Sequence, residues 1–163
     1  MAFPSISRLK QPFFQNAIQQ EKVASGVFAF HITQNSSELH LGTTNRQHYS
    51  GPIEYHPVIN TEVNGTSEIA FWQLGKAQVG VNEKTVPLSP FKTIIDTGTT
   101  LMYGPPDEVS KVYAQVKGSQ PLTDELEGYY SFPCDNVPNI GFNWGGREWM
   151  ISQNKWAVPV VTM

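Results

Sequence analysis

The stretch Phe91-Lys92-Thr93-Ile94-Ile95-Asp96-Thr97-Gly98-Thr99-Thr100-Leu101 concentrates the residues best suited to chemistry. A β-branched run leads into one carboxylate, and the carboxylate into a turn of small and hydroxyl residues. Asp-Thr-Gly alone arises by chance in roughly one chain in thirty of this length, so the tripeptide by itself decides nothing. Its flanks do more: two aliphatics precede the Asp, two hydroxyl residues follow the Gly, and an apolar residue closes the turn. Asp96 is expected at a strand end facing a cleft, where a carboxylate can take or give a proton. Thr97 can hold the turn through its hydroxyl. Gly98 lets the backbone take unusual angles and lets a ligand come close. Thr99 can hydrogen-bond the carboxylate and favour its ionised form. The plainer alternative is an Asp that only caps a turn.

The other polar groups offer less. Asp107, Asp124 and Asp135 fall in polar turns or helix starts, where solvated carboxylates are the default. His31, His40, His48 and His56 are eight or nine residues apart. No pair has a short metal-ligand spacing, so they read as ordinary strand or loop residues and no metal is expected. Cys134 is the single cysteine, which excludes an internal disulfide and a multi-cysteine metal site. Composition reads it as a buried or partly buried free thiol. Its neighbours Phe132, Pro133 and Asp135 supply neither a base nor a helix N-terminus. Asn35-Ser36-Ser37 and Asn64-Gly65-Thr66 fit glycosylation acceptors, which matter only on the secretory path.

These residues need elements to position them. The 163 residues suit one domain and hardly two, and 39% hydrophobic with 15% charged residues is enough to bury a core. A net charge of −3 declares no basic surface for non-specific nucleic-acid binding. No run approaches the roughly 18 to 20 apolar residues of a membrane span, and the start lacks the apolar stretch of a signal peptide. Residues 1–12, broken by Pro4 and Pro12, read as a tail or linker. A short helix is expected over 13–22, with Phe14 and Ile18 on one face. Strands are expected over 27–32 and 38–42, joined by a turn at 34–37, and again over 53–59, 69–74, 77–81 and 93–96. Turns are expected at Asn64-Gly65 and at Gly80-Val81-Asn82. Pro105-Pro106-Asp107 opens a helix over 108–116 that presents Val109, Val112, Tyr113 and Val116, and Gly118 ends it. Strands resume over 129–132, 139–143, 148–151 and 157–161, with a hairpin turn at Trp144-Gly145-Gly146. Many short strands with rare helices predict a mainly β fold.

Ile94-Ile95-Asp96-Thr97-Gly98-Thr99-Thr100 resembles the second catalytic motif of pepsin-like aspartic peptidases, the fungal secreted ones especially. The resemblance runs along nearly the whole chain. Phe3 to Ser7 and Phe13 to Phe30 are similar to the segment leading out of that family's first lobe. Glu38-Leu39-His40-Leu41-Gly42 is similar to a hairpin ending in an aliphatic-Gly pair. Ile53-Glu54-Tyr55-His56-Pro57-Val58 and Phe71-Trp72-Gln73-Leu74 resemble the strand pair ahead of the motif. Phe132-Pro133-Cys134-Asp135 and Pro138-Asn139-Ile140-Gly141-Phe142 resemble later strands of the second lobe.

The resemblance implies one mainly β lobe of a bilobal fold with two short helices, lacking its final strands. Residues 1–26 would form an inter-lobe segment with a short helix, and 27–163 a partial C-terminal lobe. It implies an aspartic-type endopeptidase without a cofactor, in which two aspartates share one proton and activate a water against a peptide carbonyl. Asp96 would be one of the two. Gly98, Thr99 and Thr100 would hold the substrate backbone, Thr97 would support the loop, and Phe71 would line a side-chain pocket or pack in the core. The partners implied are a polypeptide substrate and a second Asp-bearing lobe, with no nucleic acid and no membrane. The location implied is extracellular or vacuolar. The family's first Asp-Thr-Gly, its flap tyrosine and its Ile-Leu-Gly-Asp strand have no counterpart here. Cys134 resembles one half of a family disulfide whose other half would lie beyond Met163. Two rival readings stand beside the peptidase: a homodimer pairing Asp96 with its copy, and a non-catalytic binding module or incomplete product.

Overall fold

The computed structural model describes residues 1–8, 11–151 and 153. The mainly β expectation holds: among the described residues, mostly short antiparallel strands are accompanied by the helices Phe13–Gln19 and Pro106–Tyr113. The chain divides into two compact units, Met1–Tyr55 with Asn60–Phe71, and His56–Ile59 with Trp72 onward. The division expected after residue 26 falls inside the first of these.

In the first unit, helix α1 (Phe13–Gln19) starts directly after Pro12 and ends sooner than expected. Glu21 takes a left-handed φ of 52°, and the Lys22 N–H turns back to the Ala17 carbonyl at 2.9 Å. Strands β1 (Phe28–His31) and β2 (Glu38–Leu41) pair antiparallel, with His31 opposite Glu38 and Ala29 opposite His40. Alternation puts Phe28, Phe30, Leu39 and Leu41 on one face and Ala29, His31, Glu38 and His40 on the other. Phe14 of α1 is buried and meets Phe28 edge-on, with ring centroids 5.1 Å apart. Strands β3 (Thr61–Val63) and β4 (Thr66–Glu68) form a hairpin around Asn64-Gly65. Both turn residues have positive φ, the conformation of a type I′ hairpin turn. Residues 1–8 are no loose tail: Pro4–Ile6 makes a 3-10 turn, and the Ser5 hydroxyl donates to the Ile69 carbonyl at 2.8 Å.

Gly42 closes the β1–β2 hairpin at a left-handed φ of 78°. A Cβ there would stand 2.8 Å from the Ala24 backbone nitrogen. Gly51 has a similar φ of 74° but open space around it. Gly42→Ala is therefore expected to destabilise the chain by about 1–3 kcal/mol. Gly51→Ala should cost only the conformational part, about 1–2 kcal/mol. Urea denaturation of the two variants side by side measures the clash as their difference.

The second unit is built on β5 (Gln73–Val81), whose nine residues pair with three other strands. Its C-terminal half lies between β6 (Lys84–Thr85) and the later strand Ile140–Asn143, and its N-terminal half pairs with β7 (Phe91–Ile94). A bulge between Leu74 and Ala77, with Lys76 at φ 61°, divides the halves. Helix α2 (Pro106–Tyr113) has Pro106 in its first turn with Asp107 and Glu108, favourable company for a helix N-terminus. β8 (Gln120–Pro121) pairs with β9 (Tyr130–Ser131), and β10 (Ile140–Asn143) with β11 (Trp149–Ile151). Val79, Val81, Val86, Val116 and Ile140 form the core, flanked by Phe91, Val112, Tyr113 and Phe142.

Several expectations need correction. Residues 53–59 form no strand; only Val58 bridges to Leu74. Residues 69–72 lie outside β5, and the segments expected over 69–74 and 77–81 are joined through the bulge. The turn after β5 sits at Asn82-Glu83, both with positive φ, not at 80–82. Cys134 is exposed rather than buried, in the turn closed by the Asn136 N–H on the Pro133 carbonyl. The strand expected over 157–161 lies outside the described residues.

Candidate active site

Asp96 stands two residues beyond the end of β7, in an exposed turn. The strand is fixed to β5 through Leu74–Thr93 and Gln73–Ile94. The Ile95 N–H continues the ladder to the Trp72 carbonyl at 3.0 Å, and the Trp144 indole N–H donates to the Thr93 hydroxyl at 2.8 Å. The carboxylate thus begins where a well-anchored strand stops.

The turn wraps back on the carboxylate. The Gly98 N–H donates to Oδ1 at 2.9 Å and the Thr99 hydroxyl to Oδ2 at 2.5 Å. Those two bonds, Thr99 first, hold the Asp96 carboxyl below its ordinary range. Among the described residues no second carboxylate is hydrogen-bonded to it, and Thr97 adds no side-chain hydrogen bond. The turn is therefore held by Gly98 and Thr99, not by the Thr97 hydroxyl. Gly98 does not take a left-handed φ either. Its use is space, since a Cβ there would come within 3.3 Å of Asp96 Oδ1. Thr100 follows in the same exposed turn. Phe71 belongs to the first unit and is 36% exposed, so it is not a core residue.

Thr99→Val should raise the Asp96 pKa toward that of an ordinary aspartate, because the hydroxyl favours the charged form. The folded pKa lies below the unfolded one. Asp96 therefore adds stability above the unfolded pKa, and this is lost as pH falls through the folded pKa. Carbon-detected NMR titration of the Asp96 carboxyl reads the shift directly; an unchanged midpoint in the variant contradicts the assignment.

Asp96 thus lies just beyond a strand end with the Thr99 hydroxyl on its carboxylate, and the Gly98 N–H joins it there. The family model for eukaryotic aspartyl protease matches residues 1–162. This chain belongs to that family. It is 34% identical over 167 residues to an aspartic protease of Phaffia rhodozyma, an alignment covering 99% of this chain and 39% of that protein. It is also 34% identical over 170 residues to cathepsin D of Homo sapiens and 33% to cathepsin D of Canis lupus familiaris, covering 98% of this chain and 38% of each. The chain spans about two fifths of the length of these curated relatives.

A second cluster was missed by sequential spacing. Glu38 Oε2 lies 2.9 Å from the Nε2 of both His40 and His48, and His48 stacks on His31 at 3.9 Å between ring centroids. The bond from His48, with that from His40, holds the Glu38 carboxyl below its ordinary range. The signal was present as Glu38-Leu39-His40, two polar residues on one strand face. His48 arrives from the 3-10 turn Arg46–His48, where the Asn45 side chain accepts from the Gln47 N–H at 3.0 Å. His56 lies in the other unit, 5.9 Å from the Trp144 ring.

Proposed function

We propose that this chain supplies Asp96 as one of the two aspartates of an aspartic-type endopeptidase, the second coming from another Asp-bearing lobe. The observation that carries the reading is the geometry around Asp96: an exposed carboxylate just beyond a strand end, fixed by the Gly98 N–H and the Thr99 hydroxyl, which favour its ionised form. Ile94, Ile95, Met102 and Tyr103, close to Asp96 along the chain, are exposed apolar side chains, which suits a segment that becomes covered.

Two carboxyl groups about 3 Å apart cannot both ionise, so such a pair carries one proton. The ionised member takes a proton from water as its oxygen bonds to the peptide carbonyl carbon. The protonated member gives its proton to the carbonyl oxygen. As the tetrahedral carbon collapses, the C–N bond breaks and the amine nitrogen takes up a proton. Gly98 and Thr99 keep Asp96 available as a carboxylate in acid, which this exchange requires. In the same reading Gly98, Thr99 and Thr100 flank the substrate backbone. The substrate is polypeptide, and the setting is extracellular or vacuolar. No described helix is long and apolar enough to cross a membrane. Cleavage of denatured protein at acid pH, with Asp96→Asn as comparison, tests the reading.

A further inference from the structure

Alternation on the β1–β2 hairpin and the fold of the following turn bring three nitrogen and oxygen donors to one place. Glu38 and His40 share a strand face, and His48 reaches the same carboxylate oxygen from the Arg46–His48 turn. Glu38 Oε2, His40 Nε2 and His48 Nε2 all lie within 4.8 Å of one another. We propose that Glu38, His40 and His48 form a binding site for a divalent cation of the zinc class, clipping the turn to the hairpin.

The donor set favours such an ion, because imidazole nitrogen suits zinc, copper and nickel whereas magnesium and calcium prefer oxygen alone. Two histidines and a carboxylate make a three-ligand zinc site with room for a fourth, outside ligand. Bonds of about 2.0–2.1 Å set tetrahedral donors about 3.3 Å apart, so the two 2.9 Å nitrogen–oxygen separations open slightly while the two nitrogens, within 4.8 Å of each other, draw in toward the ion. Both imidazoles are already about three-quarters buried, at 24% and 23% exposure, and Glu38 is 41% exposed. His31 stacks on His48 at an interplanar angle of 10° and fixes that ring's plane. His40 and His48 also line a pocket of about 410 Å³ with Ala29, His31, Tyr49 and Tyr55, room for a water or a small anion as an outside ligand.

The proton balance is simple. The apo rings donate Nε2 protons to Glu38 Oε2. In the bound form each ring keeps one proton on Nδ1, and any imidazolium releases its second to solvent. The cation then takes the place of the two N–H groups beside the carboxylate.

Isothermal titration of the tag-free chain with zinc chloride tests the site, with Cys134→Ser as background to remove the one thiol. One equivalent is expected to bind, with magnesium unable to compete. His48→Gln and Glu38→Gln should each weaken binding by about 100-fold or more. The loss of a direct ligand exceeds the roughly 10- to 100-fold typical of an outer-shell partner. His56→Gln, in the other unit, should leave the affinity unchanged. Cobalt added to the unaltered chain supplies a readout that needs no variant: visible d–d bands of low-coordinate nitrogen–oxygen ligation, without a thiolate charge-transfer band. No binding, or binding that His48→Gln and Glu38→Gln leave intact, or only octahedral cobalt, overturns the proposal.

Discussion

Joined to a lobe that bears a second Asp-Thr-Gly turn, this chain is expected to cleave denatured protein between about pH 3 and 5, around the ordinary carboxylate pKa of about 4. Asp96→Asn should lower that rate by about 10²- to 10⁴-fold, the usual contribution of a positioned acid or base. Asparagine keeps the size of the side chain and can still accept from the Gly98 N–H or the Thr99 hydroxyl. It cannot take a proton from water. The loss should therefore fall on kcat with little change in KM, since a residue used in the transition state alone leaves ground-state binding in place. An equal fall in thermal stability would instead mark a structural role.

The same chain assayed alone is expected to show little or no cleavage, and the reason lies in the count of carboxylates at the site. Acid and base must act together, and among the described residues no carboxylate is hydrogen-bonded to Asp96. Among the described residues no like-charged neighbour is hydrogen-bonded to it to raise its pKa. The Thr99 and Gly98 hydrogen bonds lower the Asp96 pKa more than desolvation raises it, which favours its ionised form. The site also lies open to water, which weakens every electrostatic contribution to the transition state. Adding the second lobe should raise the rate by orders of magnitude, because proximity as well as the second proton carrier then returns. A rate from the chain alone that grows with the square of its concentration would favour the homodimer.

Much of this architecture was legible because local signals agreed. The strand before Asp96 is β-branched, α2 has proline and acid at its start, and the β1–β2 hairpin shows apolar alternation around a polar turn. Misreadings arose where tertiary pairing decided. Residues 53–59 carry strand-forming types, but Pro57 removes a donor and only Val58 finds a bridge. Gly75-Lys76 hides a bulge inside one long strand, which broke the alternation into two apparent segments. Cys134 went to the surface because a turn after Pro133 carries it there. The Glu38–His40–His48 cluster needs strand register and a turn together, and no spacing along the chain displays that.

The most direct measurement compares wild-type and Asp96→Asn chains, each completed by the same Asp-bearing lobe, for initial rate against denatured protein at pH 4. The account predicts a rate in the wild-type pair that falls at least about 100-fold in the variant, with both pairs folded and associated to the same extent. Equal rates in the two pairs would contradict it, because Asp96 would then have no part in the chemistry.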